Sequence, residues 1–265
     1  MMTKLFLIPI VFIFGLLVGS FLNSVIYRIK NNQKIVFDRS KCPHCGHTLN
    51  WFDLIPLLSF VFLKGKCRYC QKPISWQYPL VELFTALIFI LPLVVSNNFL
   101  PHNIFLPNFW QFFCYYILIA SVLIVIFVFD LKYYLIPDKI LFLGILISVL
   151  FNVLLFREAL INKIFGALLF SSFFLFQYLL SKGKWIGFGD VKLGALLGFI
   201  LGWKLSLVNL FLSYLIGAII SIGLITLKKK TLKSEIPFGP ILIIGFFVSF
   251  LWGNEIILWY LNLFS

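Results

Sequence analysis

Apolar and polar residues occur along this chain in long blocks. Most apolar blocks hold about 20 residues, the length that an α-helix needs to cross the hydrocarbon core of a bilayer. The first is longer than the apolar core of a signal peptide, so we interpret it as a retained helix. The pattern predicts eight spanning helices, at residues 5–27, 80–95, 109–129, 139–156, 161–180, 191–203, 205–227 and 237–260.

The composition requires a membrane environment. Hydrophobic residues make up 62% of the chain, charged residues only 12%, and the mean hydropathy is +1.04. A soluble core cannot absorb that much apolar surface. We predict an all-α polytopic membrane protein with about eight transmembrane helices and a small cytoplasmic zinc-binding segment between helices 1 and 2. The predicted domains are a first transmembrane helix (5–27), a cytoplasmic cysteine-knuckle domain (28–78) and a membrane domain (79–265).

The distribution of basic residues predicts the orientation. Lysine and arginine are retained on the cytoplasmic side of membrane proteins. Of the 22 such residues, only Lys4, Arg157, Lys163 and Lys204 fall outside the first, third, fifth and seventh connections. Eight helices then place both termini outside and these four connections in the cytoplasm. Positive-inside bias and anionic lipid account for the net charge of +13, so no nucleic-acid partner is expected.

Four cysteines form two Cys-x-x-Cys knuckles in the polar block: Cys42 with Cys45, and Cys67 with Cys70. Two knuckles can supply the four thiolates of a tetrahedral zinc site, which would stabilise a segment too small for a core. A disulfide pair, a redox dithiol and free thiols are the alternatives. A reducing cytoplasm disfavours disulfides, so structural zinc is the preferred interpretation.

Two aspartates stand where a carboxylate is costly. Asp130 follows an apolar run, and Asp190 closes the Gly187 to Gly189 turn just before another. A charge within hydrocarbon costs roughly 2.5–3.5 kcal/mol, so such residues indicate function. If they meet at one membrane face, they can share a proton and hydrolyse a peptide bond. Gly187 and Gly189 would let the backbone approach a substrate.

Helix capping is the structural alternative for each aspartate. It is the preferred interpretation for Asp138, together with support of the site, because Asp138 directly precedes an apolar block. For Asp190 capping and catalysis are balanced on local grounds. Asp130 follows its helix, where a negative charge opposes the dipole, so capping explains it poorly and a site role is favoured.

Two other classes of function fit parts of the pattern. A membrane thiol oxidoreductase would use the Cys-x-x-Cys pairs as redox centres, but their basic surroundings predict a cytoplasmic location. A proton-coupled transporter would use Asp130 and Asp190 as proton carriers. It requires acids near the bilayer midplane and discontinuous helices, whereas both aspartates lie at predicted loop junctions.

The chain resembles the type IV prepilin leader peptidases, membrane aspartic proteases of the Gly-x-Gly-Asp class, over nearly its whole length. The chain contains ten motifs in the same order as the family, which makes the resemblance specific. They stand at residues 19–23, 27–28, 39–45, 55–59, 65–70, 78–82, 130–131, 136–138, 187–192 and 237–240. The sequence departs from the family after Arg28, where a proline often follows, and this concerns only the exit of the first helix.

This resemblance implies that Asp130 and Asp190 are the catalytic pair, within a transmembrane aspartic peptidase domain at residues 79–265. The implied substrates are type IV prepilins or pilin-like precursors, whose short basic leader is removed at the cytoplasmic boundary of the bacterial inner membrane. It also implies N-methylation of the new N-terminus from S-adenosylmethionine.

Overall fold

The computed structural model of the protein describes residues 2–34, 39–95, 107–156, 160–229, 231 and 234–263. Three residues of the charge pattern, Arg157, Lys230 and Lys233, lie outside the described residues. Eight α-helices occur in the described part of the chain: α1 Met2–Lys30, α2 Leu58–Phe62, α3 Gln77–Val95, α4 Pro107–Tyr133, α5 Asp138–Phe151, α6 Leu160–Ser181, α7 Phe188–Thr226 and α8 Phe238–Asn262. No strand forms within those ranges, which confirms the all-α prediction.

Among the described residues, six helices are long and apolar enough to cross a membrane: α1, α3, α4, α6, α7 and α8. The predicted span at 139–156 appears as the 14-residue helix α5, continued by a π-helical turn at Asn152–Phe156. The predicted spans at 191–203 and 205–227 both lie in α7. Its 39 residues extend about 58 Å, roughly twice the hydrocarbon thickness, so α7 has the length of two spans.

Helix α7 is interrupted at Gly202, which has φ 72° and ψ 173°. This backbone conformation is open essentially to glycine alone. The amide of Trp203 donates to Asn162 Oδ1 at 3.4 Å, and Lys163 Nζ donates to the carbonyl oxygen of Ile200 at 3.0 Å. Both partners come from the first turn of α6, so α6 satisfies backbone groups released by the interruption.

The chain divides into two compact units, Met1–Val125 and Ile126–Ser265. In the N-terminal unit α1 packs closely on α3, because two glycines of α1 leave room for the α3 backbone. A Cβ atom at Gly15 would lie 2.5 Å from Ala86 Cα, and one at Gly19 would lie 2.7 Å from Glu82 Cα. Small residues at such contacts are typical of helix association in membranes.

In the C-terminal unit α7 packs against both α6 and α8. Gly166 of α6 contacts Gly198 and Gly202 of α7 through backbone atoms, and Phe174 covers Gly194. On the other side, Gly245 of α8 meets the polar side chains of Asn209 and Ser213. These contacts hold α7 against α6 and α8, and the first turns of α7 and α8 contribute residues to the candidate site.

Candidate active site and metal centre

Asp130 lies in the last turn of α4, and its carboxylate is buried. Its Oδ2 atom accepts a hydrogen bond of 3.1 Å from the backbone amide of Gly239. Gly239 belongs to the first turn of α8, which begins after Pro237. Amides in the first turn of a helix have no partner within the helix, and the helix dipole favours a negative charge there.

This hydrogen bond shows that Asp130 does bind a helix N-terminus, although not that of its own helix. Its position at the end of α4 argues against capping of its own helix, but the side chain binds the N-terminus of α8. The sequence analysis did not identify Gly239 as a site residue. A Cβ atom at position 239 would lie 2.5 Å from Asp130 Oδ2, so only glycine leaves room for this contact.

Asp190 lies in the first turn of α7 and is also buried. Its Oδ2 atom accepts a hydrogen bond of 3.2 Å from the backbone amide of Gly187, which immediately precedes the helix. The carboxylate therefore caps α7, as one of the two balanced interpretations predicted. This cap uses only the Oδ2 atom of Asp190, so the Oδ1 atom remains available for catalysis.

The first turns of α7 and α8 converge on Ile136. Its side chain lies 3.2 Å from the position of a Cβ at Gly189 and 3.6 Å from that of a Cβ at Gly239. Asp130 and Asp190 are near enough for their charges to interact. The structure thus brings together two aspartates that are 60 residues apart in the sequence, with Gly187, Gly189 and Gly239 beside them.

Asp138 begins α5 and lies beside this group rather than within it. Its Oδ1 atom forms an ion pair of 2.7 Å with Lys192 Nζ. The same Nζ atom lies 5.3 Å from the centre of the Phe188 ring. The side chains of Asp138 and Lys192 are 59% and 34% exposed, in contrast to the buried pair. Asp138 therefore connects the starts of α5 and α7, and sequence analysis did not identify its partner Lys192.

Two buried carboxyl groups with separate amide donors can divide the work of peptide hydrolysis. Each donor holds one oxygen of its carboxyl group, so the orientation of the group is fixed before a substrate arrives. One group can be a carboxylate that removes a proton from water while the other is an acid that protonates a carbonyl. The site lies at the ends of helices, not midway along them.

The four knuckle cysteines lie together in the N-terminal unit. One sulfur atom from each of Cys42, Cys45, Cys67 and Cys70 lies within 4.8 Å of all the others, and Cys42 and Cys70 are separated by 3.9 Å. Zn–S bonds of about 2.3 Å in a tetrahedron require S–S distances of about 3.8 Å. The four cysteines are free thiols, and their arrangement fits a zinc ion.

The two knuckles repeat one backbone pattern. The amide of Cys42 donates to the carbonyl of His47, and the amide of Cys67 donates to that of Lys72, each at 2.9 Å. Both loops also contain a residue with positive φ, Gly46 at 71° and Gln71 at 58°. Each knuckle is therefore a tight turn that aims its two cysteines at a common point.

The thiols of the two knuckles differ in acidity. Burial opposes ionisation of Cys42, but the amides of Cys45 and His44 donate to its sulfur, and its pKa is lowered to about 7. At Cys70 the amide of Lys72 favours the thiolate, but desolvation and the neighbouring thiols outweigh it and raise the pKa to about 11. Zinc must therefore displace a proton from Cys70 at neutral pH.

The buried carboxylate of Asp53 binds the second knuckle to the turn that follows the first knuckle. The side chain of Asp53 is 3% exposed and accepts hydrogen bonds from Arg68 Nε at 2.8 Å and from the Tyr69 hydroxyl at 3.1 Å. The Tyr69 ring also lies 3.7 Å from that of His47, centre to centre. His47, beside the first knuckle, therefore contacts the second knuckle through a ring contact that does not involve the cysteines. The sequence analysis did not identify Asp53.

Two protein-family models match parts of the chain. The model of the bacterial peptidase A24 N-terminal domain matches residues 13–96, which include the four cysteines. The model of the type IV leader peptidase family matches residues 117–222, which include both aspartates.

Several curated relatives match over nearly the whole chain. One from Aeromonas hydrophila is 36% identical over 281 residues, covering 96% of this chain and 93% of the relative. One from Bacillus subtilis (strain 168) is 33% identical, covering 97% and 99%, and one from Pseudomonas aeruginosa is 34% identical, covering 94% and 91%. All three are named prepilin leader peptidase/N-methyltransferase. No solved structure matches the chain.

Proposed function

Because the chain belongs to the type IV leader peptidase family, we propose that Asp130 and Asp190 are the catalytic pair with which it removes the leader from prepilins or pilin-like precursors. The family and the names of the relatives support an aspartic peptidase with N-methyltransferase activity. They give no support to the thiol oxidoreductase or the transporter. The observation that carries the residue assignment is that both carboxyl groups are buried and that each accepts a hydrogen bond from a backbone amide at the start of a helix, Asp130 at α8 and Asp190 at α7.

In the proposed reaction one aspartate is ionised and the other is protonated. The carboxylate takes a proton from a water molecule, whose oxygen attacks the carbonyl carbon of the scissile bond. The acid donates its proton to the carbonyl oxygen. Collapse of the tetrahedral species then breaks the C–N bond. The proton taken from water passes to the leaving amine, and a hydroxyl group of the tetrahedral species returns its proton to the other aspartate, which restores the acid. The amide of Gly239 holds Asp130, that of Gly187 holds Asp190, and Gly189 leaves room for the side chain of Ile136.

The site is proposed to face the cytoplasm. The positive-inside pattern supports this side, because the connections next to the two aspartates contain five basic residues, Lys132, Lys139, Lys182, Lys184 and Lys192. A precursor with a basic leader and one apolar helix would then present its leader junction at the level of the site. The protein is a multi-pass membrane protein, and its residues 28–78 form the proposed cytoplasmic knuckle domain, ahead of the proposed peptidase domain at 79–265.

Cys42, Cys45, Cys67 and Cys70 are the proposed ligands of a structural zinc ion. The convergence of their sulfur atoms supports this set. Zinc would supply four bonds that hold the two turns together, and no step of peptide hydrolysis depends on it. The N-methyltransferase activity of the relatives implies S-adenosylmethionine, which supplies the methyl group for the new N-terminal amine. We assign none of the described residues to its binding.

Purified wild-type protein, Asp130→Asn and Asp190→Asn test the catalytic pair on a prepilin, with products read by mass. Each substitution is expected to lower cleavage by about 10³-fold or more, because the two carboxyl groups have different tasks in one step. Asp138→Asn is the matched control, since it removes an exposed carboxylate next to the site. Full cleavage by either catalytic variant would reject the assignment.

The same preparations separate the two activities. A pilin subunit whose leader has already been removed should gain one methyl mass with S-adenosylmethionine in both aspartate variants. Loss of methylation together with cleavage would instead indicate misfolding of the variants. That control keeps a failed cleavage assay interpretable.

A further inference from the structure

An apolar surface lies exposed between the two cysteine knuckles. Residues 54–63 are apolar apart from Ser59, and they include the short helix α2. Val61 and Phe62 are 68% and 79% exposed, and Trp51, Leu58 and Trp76 are exposed as well. Large apolar side chains clustered in this way mark a surface that contacts another molecule or a membrane. We call these five residues the knuckle surface.

A hydrogen bond sets the depth of this surface. The backbone amide of Leu57 donates to Glu82 Oε2 at 2.9 Å, and Glu82 is a buried residue of α3. Glu82 lies about 7 Å along the axis from Gln77, where α3 begins. The 19 residues of α3 extend about 28 Å, which is close to the hydrocarbon thickness. The start of α2 is therefore held beside a part of α3 that lies inside the membrane boundary.

The aromatic residues agree with that depth. Trp76 immediately precedes α3, and its ring lies 5.1 Å from that of Phe60 in α2, centre to centre. Tryptophan is enriched where a helix crosses the membrane–water interface. The contact between Trp76 and Phe60 therefore holds α2 at the level where α3 enters the bilayer.

The charges that follow the surface favour anionic lipid. Lys64, Lys66 and Lys72 are exposed, and the first two come directly after α2. The nearby acid, Asp53, is buried and paired with Arg68. Apolar residues followed by exposed lysines are typical of segments that insert shallowly into a leaflet, where each lysine near anionic headgroups contributes about 1 kcal/mol.

We propose that the knuckle surface inserts into the leaflet at the end of α1 and α3 that carries the knuckles, and that anionic phospholipid is its partner. The apolar side chains of α2 enter the boundary between headgroups and acyl chains, and the lysines stay among the headgroups. The cysteine cluster is then held against the membrane by α2 in addition to its two helical connections. This inference concerns the knuckle segment alone and does not depend on the catalytic assignment.

Nitroxide labels on the full chain in nanodiscs of phosphatidylethanolamine and phosphatidylglycerol test the depth. A keto amino acid at position 62, coupled to the label, avoids reaction at the cysteines. Phe84→keto residue is the lipid control, since Phe84 is 56% exposed on α3, and Gln71→keto residue is the water control. Oxygen should accelerate the relaxation of the nitroxide at position 62 several-fold more than a water-soluble nickel chelate does. The same order is expected for the label at 84, and the reverse order for the label at 71.

Two results would overturn the proposal. A label at 62 that behaves as at 71 would show that the surface lies in water. Protection from both oxygen and nickel would show that protein covers it. In nanodiscs of phosphatidylcholine alone the label at 62 should be shallower, and an unchanged depth would reject the anionic partner.

Discussion

The Oδ2 atom of Asp130 accepts a hydrogen bond of 3.1 Å from the backbone amide of Gly239, a residue 109 positions farther along the chain. The bond joins the last turn of α4 to the first turn of α8. It directs an otherwise unpaired amide and the positive end of a helix dipole at a buried carboxylate. Gly239 is therefore a positioning residue: its backbone amide holds the carboxylate of the proposed catalytic Asp130.

Replacement of Gly239 by alanine is expected to lower leader cleavage by about 10²-fold, the effect of moving a reacting group by about 1 Å. The new methyl carbon would lie 2.5 Å from Asp130 Oδ2, so either the carboxylate or α8 must move. Cleavage rates on a prepilin check this, with methylation of a subunit whose leader is already removed as the second readout. Methylation should be unchanged if the fold is intact.

Gly223→Ala in α7 is the matched control. A Cβ atom at this position meets nothing within 4 Å, and the substitution is chemically the same. It should leave cleavage unchanged. If both variants cleaved at the same rate, the close contact at Gly239 would have no role in the reaction.

The membrane helices and the candidate aspartates could be predicted from the sequence because each has a local signal. Long apolar blocks define the spans, and an acid next to such a block is exceptional. The Gly239 amide has no such signal, since its contact with Asp130 exists only after α8 has packed. The proline at 237 and the glycine at 239 do indicate a helix start, and a search for an acid facing that start could have found the pair.

The sequence predicted two separate spans at 191–203 and 205–227. In the structure both lie in α7, and the helical backbone is interrupted at Gly202. The partners of the interruption, Asn162 and Lys163, lie on another helix and become relevant only through packing. Lys163 was counted among the four basic residues on the side opposite to the cytoplasmic connections, and in the structure it donates to a carbonyl oxygen of α7.

The ion pair between Asp138 and Lys192 should have a small effect on cleavage. Pairs with this exposure contribute about 0.2–1 kcal/mol, so Asp138→Asn and Lys192→Gln should each reduce the rate by no more than about fivefold. The double variant should be no slower than the slower single variant, because both changes remove the same contact. Rates that multiply in the double variant would show that the two residues act independently, and inactivity of Asp138→Asn would indicate a direct catalytic role.

Cys42→Ser should abolish retention of zinc by the purified protein, whereas the wild type should hold about one zinc ion per chain. The loss of one of four thiolates leaves an incomplete tetrahedron. Elemental analysis checks this, and Cys114→Ser is the control because Cys114 lies outside the cluster. Equal zinc in the two serine variants would reject the ligand set. Cleavage should persist in Cys42→Ser, since no hydrolytic step uses zinc.

Zinc affinity of the wild type should fall as the pH is lowered from about 8 to about 6. The thiolate is the ligand, and Cys42, with its pKa at about 7, becomes protonated in that range. Cys70, with its pKa at about 11, must release a proton on binding at either pH. Competition with a zinc-binding dye at each pH measures the affinity, and a constant value across the range would contradict thiolate ligation.

Gly202→Ala should lower the free energy of unfolding by about 1–3 kcal/mol, because φ of 72° with ψ of 173° is strained for every residue but glycine. A Cβ atom there would also lie 3.1 Å from Asn162 Oδ1, so the substitution disturbs the side chain that accepts the Trp203 amide. Gly223→Ala changes the same residue type in a regular part of α7 and should stabilise by up to about 1 kcal/mol. Unfolding in mixed micelles measures both. Shifts of opposite sign would establish that the interruption at Gly202 is part of the native fold, and stabilisation by both substitutions would mean that α7 runs through position 202 as a regular helix.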